Sequence, residues 1–195
     1  MSSYIDFFFD VISPYSYIAH KKIQNIKENQ KITFNYKPIL LGGLHNLAGI
    51  SAPAFNKYKM KNMQSDCELV SRKNSISFKW NLKFPINSLL IMRGYLSLDG
   101  NQKEKYLDIF FDAYWKDNLD LSSENEVLKL LEVLNIDSKA FLEKINQQSI
   151  KDDLKRLTSD AFKKEVFGAP TFIVNNKIFW GQDRLEYALE ELSDS

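Results

Sequence analysis

Residues 7–20 read FFFDVISPYSYIAH, a run of aromatics meeting a Ser13-Pro14-Tyr15-Ser16 junction. Tyr4 to Phe9 is short, aromatic and partly β-branched, the composition of a buried strand. Ser13 is a good helix N-cap and Pro14 a good first helical residue, so a helix is expected from Pro14 to about Lys27. Ile32, Phe34 and Tyr36 then alternate with polar residues, which predicts a second strand ending near Pro38. A strand, a helix and a strand in this order imply a parallel pair joined by a right-handed crossover.

Outward from this unit the pattern changes. From about Ala54 to Phe167 the periodicity is helical, broken by loops at NLKFPIN (81–87), LDGNQ (98–102) and NIDS (135–138). Phe110, Phe111, Tyr114 and Trp115 fall on one helical face, which reads as packing rather than as a ligand box. Ser123 followed by Glu126 resembles a capping box. At the end, PTFIVNNKIFWG reads as a hairpin, Thr171 to Val174 and Lys177 to Trp180, turning at Asn175-Asn176. Asp183 is then expected to cap a closing helix through Leu192, with Leu185, Ala188, Leu189 and Leu192 on its buried face.

Composition narrows the function classes. The chain has 195 residues, 44% of them hydrophobic, enough for a sizeable core and against disorder. Its 26 basic and 25 acidic residues nearly cancel, so no field favours nucleic acid. The longest apolar runs are far short of the ~20 residues of a membrane span. The opening MSSYIDFFFD lacks a basic segment and meets Asp6 and Asp10 too early for a secretory leader. Cys67 is the single cysteine, which excludes an intrachain disulfide and fits a reducing compartment. A soluble cytoplasmic protein is expected, with Cys67 as a buried or incidental thiol.

Three places carry candidate chemistry. Ser13, at the start of a helix that follows a buried strand, lies beside free backbone N–H groups and the positive end of a helix dipole, a site for a phosphate, carboxylate or thiolate or simply an N-cap. In Gly168-Ala169-Pro170-Thr171 a cis Pro170 would turn the backbone N–H and C=O of Ala169 toward a peptide-like ligand. Asp183, in the turn Trp180-Gly181-Gln182-Asp183-Arg184, has the chemistry to cap a helix, to bind an ammonium group, or both. Lys37 is a candidate for an acidic substrate or a solvated strand end, and His45 lies close to it in the chain. His20 reads as a helix-surface residue.

Taken in order, these features resemble a known family. The S-P-Y-S junction, KPILLGG (37–43), the Phe84-Pro85 loop, AYWKD (113–117), VFGAPTF (166–172) and GQDRLEYALEEL (181–192) are similar to kappa-class glutathione transferases and 2-hydroxychromene-2-carboxylate isomerases. These families share the DsbA-like thioredoxin fold. The resemblance implies an α/β thioredoxin-like domain built from residues 1–50 and 166–195, with 51–165 a large helical insertion. It implies glutathione as cofactor, a small-molecule substrate and often a homodimer, with no nucleic acid, membrane or metal. Ser13 would hold the thiol as thiolate, and Pro14 and Tyr15 would also contact glutathione. Ala169 before Pro170 would pair with the cysteinyl backbone, and Gln182 and Asp183 would hold the γ-glutamyl end. The sequence departs from the family at Ala48-Gly49-Ile50-Ser51, where Ile50 replaces an asparagine that helps to orient ligand.

The leading expectation is an isomerase in which glutathione thiolate adds reversibly to an unsaturated α-keto acid. The alternatives are a kappa-type transferase acting on electrophiles and a non-catalytic glutathione- or peptide-binding module. A dithiol oxidoreductase is excluded because both outer positions of the junction are serine. Ser16 receives no chemical role.

Overall fold

The computed structural model describes residues 4–29 and 32–193. It opens with β1 (Tyr4–Phe9), α1 (Pro14–Asn29) and β2 (Thr33–Pro38). Seven α-helices follow among the described residues: α2 (Leu41–Ala48), α3 (Lys57–Lys73), α4 (Leu89–Ser97), α5 (Gly100–Trp115), α6 (Glu124–Val133), α7 (Ser138–Ile145) and α8 (Gln148–Lys163). The chain closes with β3 (Thr171–Val174), β4 (Lys177–Trp180) and α9 (Leu185–Ser193). The sheet order is β2-β1-β3-β4. The β1–β2 pair is parallel, as the crossover requires, and β1–β3 and β3–β4 are antiparallel. This is a thioredoxin-type α/β layer interrupted by a helical insertion between β2 and β3.

The triple phenylalanine explains the sheet's burial. Successive strand residues point to opposite faces. Phe7 and Phe9 enter the large core, where Phe7 stacks on Phe172 at 5.4 Å and Phe9 meets Tyr95 edge-on at 5.3 Å. Phe8 points the other way, onto Ile39, Leu44, Ala161 and Val166. Both faces are therefore covered, and an alternating polar pattern is not needed.

The aromatic face of α5 packs. Phe110, Phe111, Tyr114 and Trp115 are all fully buried, and Trp115 Nε1–H donates to the carbonyl of Val11 at 2.8 Å. That bond ties the helical insertion to the loop that leads into Ser13. Asn81, inside the expected NLKFPIN loop, donates through Nδ2 to the carbonyls of Tyr114 and Leu119 and anchors that loop to the end of α5.

Four expectations are corrected. His20 is 1% exposed, because α5 covers that side of α1. Ser123 makes no side-chain cap bond, and Glu126 pairs with Lys129 instead, so no capping box forms. The LDGNQ loop is shorter than expected, since α5 begins at Gly100. Asp183 does not cap the last helix: Gly181, at φ 111°, opens a 3-10 turn over Gln182–Arg184, and α9 starts only at Leu185. A side chain at position 181 would adopt that φ only with strain, and its Cβ would meet Asp183 Oδ1 at 2.5 Å. Among the described residues, no helix is long and apolar enough to cross a membrane.

Candidate active site

Ser13 and Ala169 stand 156 residues apart in the chain and touch. Asp10 accepts from the Ser13 backbone N–H at 3.0 Å and turns the end of β1 into α1. Ser13 Oγ then accepts from the Ser16 N–H at 3.1 Å, the expected N-cap bond. The same hydroxyl donates to the Ala169 carbonyl at 2.9 Å. The Ala169–Pro170 bond is cis, as is Phe84–Pro85. Pro170 O accepts from Gly181 N–H at 2.9 Å, and this bond carries the Gln182–Arg184 turn up against the same loop. Ser13, Ala169, Pro170 and Gln182 thus form one continuous patch at the mouth of the sheet.

The neighbours are more specific than the sequence suggested. Gln182 is 6% exposed, and its Oε1 accepts from Lys22 Nζ at 2.7 Å. Burial lowers the Lys22 pKa, while Glu186 and Asp183 favour its charge. The Asp183 carboxylate pairs with Arg184 at 3.0 Å on the surface. Trp180 lies over Gly168, whose Cβ would meet Trp180 Nε1 at 2.6 Å, and Phe167 packs on Trp180 with ring centroids 5.0 Å apart. An aromatic pair therefore flanks Ala169.

The Tyr15 hydroxyl turns toward the helical insertion. It donates to Asp66 Oδ2 on α3 at 2.8 Å, and burial together with Cys67 and Asp66 pushes its pKa up. Pro14 is buried at the first turn of α1. Cys67 is fully buried, and burial raises its thiol pKa, so it is an inert core residue as expected. Ser16 Oγ is buried, with no hydrogen-bond partner among the described residues.

Lys37 lies apart. Its ammonium is 3.6 Å from Asp6, on the sheet face that carries Phe8. It edges a groove of about 370 Å³ whose lining includes Phe8, Pro38, Leu157 and Lys164 but none of the Ser13 patch. The pleat decides this: Lys37 pairs in register with Phe8 and shares its face. Ile50 is exposed just past the Gly49 end of α2, and burial lowers the pKa of half-buried His45.

Two residues escaped the sequence reading. His20 Nε2 lies 2.6 Å from Asp108 Oδ1 and its Nδ1 lies 3.0 Å from the Tyr36 hydroxyl. Burial lowers its pKa against the opposing pull of Asp108. Asp10 is fully buried, and it organises the junction: Oδ1 accepts from Ile12 N–H, and Oδ2 from Leu41 N–H and the Ser88 hydroxyl. An acid closing a buried aromatic strand was the available signal for Asp10. Nothing local marked His20.

Burial raises the Asp10 pKa from 3.8 to about 6, outweighing these hydrogen bonds. Between those values the folded protein keeps a proton that the unfolded chain releases, so this group's stabilisation is complete below pH 3.8 and lost as pH rises to about 6. Comparing wild type with Asp10→Asn cancels the other carboxylates. The stability difference is expected to move against the wild type by about 2 kcal/mol between pH 4 and 7, measured by urea unfolding. A constant difference over that range would remove the assignment.

A family model described as "DSBA-like thioredoxin domain" matches residues 4–193. The chain belongs to the DSBA-like thioredoxin family. It is 28% identical over 200 residues to a 2-hydroxychromene-2-carboxylate isomerase of Sphingobium xenophagum, covering 100% of both chains. It is 22% identical to glutathione S-transferase kappa 1 of Rattus norvegicus, over 93% of this chain and 87% of that one. A solved 2-hydroxychromene-2-carboxylate isomerase superposes with a TM-score of 0.89 at 23% identity, covering 97% and 94% of the two chains, which shows the shared fold. These relatives are isomerases and glutathione transferases, and this DSBA-like chain is an enzyme.

Proposed function

We propose that this DSBA-like enzyme is a glutathione-dependent isomerase of the 2-hydroxychromene-2-carboxylate type, working in the cytoplasm as a homodimer. The observation that carries the reading is the Ser13 hydroxyl, held at a helix N-terminus and hydrogen-bonded to the Ala169 carbonyl at 2.9 Å.

The residues fit a γ-glutamyl peptide thiol. The Ser13 O–H sits where the N-terminal dipole of α1 favours an anion. The Ala169 carbonyl, beside the cis bond to Pro170, is an acceptor suited to a ligand backbone N–H. Gln182 Nε2 makes no hydrogen bond among the described residues and is not sealed from solvent. When bound, glutathione supplies a thiolate that adds reversibly to an unsaturated α-keto acid and leaves unchanged.

The protein's part is an exchange of partners. Without ligand, the Ser13 proton is engaged by the Ala169 carbonyl. A ligand N–H taking over this carbonyl would leave the Ser13 O–H available as a donor to a bound thiolate. A thiol of pKa ~8.5 is mostly protonated at neutral pH, and a donor plus a dipole end raises its reactive fraction. Asp183 and Gln182 fix the far end, and Phe167 with Trp180 flanks the cradle.

Incubation with 2-hydroxychromene-2-carboxylate should change the substrate spectrum with glutathione present, the total glutathione staying constant, and leave it unchanged when glutathione is omitted. Stoichiometric loss of free thiol would point instead to the transferase chemistry of the kappa relatives. No spectral change under either condition would sink the isomerase reading.

A further inference from the structure

We infer that Lys22 decides which end of the Gln182 carboxamide faces the ligand, and through it selects for a free α-carboxylate on the γ-glutamyl group. This rests on the glutathione reading and deepens it.

An ammonium group only donates hydrogen bonds, so the carboxamide end 2.7 Å from Lys22 Nζ has to be the oxygen. Gln182 is 6% exposed and opens the Gln182–Arg184 turn, which packs against α1. Its amide nitrogen is then left pointing away from Lys22. That nitrogen has no partner among the described residues and retains contact with solvent. The site thus presents an N–H donor on the residue before Asp183, whose carboxylate, an acceptor, also lies close enough to favour the Lys22 charge.

A donor next to an acceptor complements the zwitterionic head of an α-amino acid: carboxylate to Gln182, ammonium to Asp183. Without Lys22 the amide oxygen loses the donor that holds it, and a flipped Gln182 would turn that oxygen toward the ligand carboxylate. Arg184 does not substitute, because it is engaged by Asp183 and lies 5.4 Å from the Tyr187 ring centroid. Lys22 is therefore a positioning residue. It lies on α1, whose N-cap is Ser13, so one helix and its cap carry both the thiolate holder and the residue that orients the far end of the cradle.

The test is a binding ratio, which a merely structural role would not move. Calorimetry compares glutathione with the analogue whose γ-glutamyl α-carboxylate is replaced by a carboxamide. Wild type is expected to favour glutathione by roughly tenfold or more, the size of a charge-assisted hydrogen bond. In Lys22→Met the ratio should fall to within about twofold, and Lys22→Arg should restore it. Gln182→Glu, which keeps the Lys22 contact but faces the ligand with an anion, should invert the preference. It serves as the second test if Lys22→Met is poorly folded. A Lys22→Met protein that binds both ligands more weakly by the same factor overturns the inference alone. A wild type that binds neither ligand overturns the glutathione reading and this inference together.

Discussion

Ser13→Ala is expected to lower kcat about 10²–10³-fold, the usual loss when one donor to a reacting anion is removed. The reasoning follows from the two bonds of one oxygen. Ser13 Oγ accepts from Ser16 N–H and donates to Ala169 O. Alanine loses both, and the N-cap component costs about 1 kcal/mol of stability. Catalysis should fall much further than that, because the thiolate loses its donor outright. Two controls separate the effects. Urea unfolding should place the variant within about 2 kcal/mol of wild type. S-methyl glutathione, which has no thiolate to hold, should bind both proteins within about twofold. Unchanged turnover in the variant would refute the role of Ser13.

Trp115→Ala should carry the largest stability effect, about 3–5 kcal/mol, against a total of about 5–15 kcal/mol for a typical domain. Trp115 is fully buried, stacks on Phe78 at 5.7 Å and 11°, and contacts Trp80 and Phe84. Truncation opens a cavity where α5 meets the loop before Ser13. It also strips the Val11 carbonyl of its Nε1–H donor. Trp115→Phe isolates the second effect: most of the packing remains and the donor is lost, for about 1–3 kcal/mol. Denaturant melts measure both variants. A Trp115→Ala cost below about 1 kcal/mol would mean that the insertion does not lean on this contact.

Much of the layered part was legible because its signals act over a few residues. Ser13-Pro14 marks a helix start by capping and by a fixed φ, and the structure begins α1 at Pro14. The alternation at Phe34 and Tyr36 marks β2, and the Asn175-Asn176 turn marks the hairpin. Both asparagines have positive φ, as such a turn requires. Helix α2 was not legible. Two adjacent glycines, Gly42-Gly43, argue against it, and it stands because Asp10 accepts from Leu41 N–H and Leu44 buries against Ile39 and Ala161.

The site divides in the same way. Ser13, the Ala169–Pro170 step and the Gln182-Asp183 pair were each visible as motifs, although their ligand roles came from a family resemblance. Lys37 was chosen for its charge near a loop, and the pleat of β2 sends it to the other face. Asp183 was read as a cap because acids favour helix starts, yet the positive φ of Gly181 delays that start to Leu185.

By itself, then, the sequence determined the β-α-β opening, the closing hairpin and helix, the absence of any dithiol, and the packing role of the α5 aromatics. Only the tertiary structure decided that Ser13 meets Ala169, that His20 is buried against Asp108, and that Lys22 holds Gln182, partners separated by 156, 88 and 160 residues. Local propensity acts over one or two turns of chain. Contacts at such separations depend on how a long helical insertion returns the chain to the sheet, a matter of packing that periodicity does not encode.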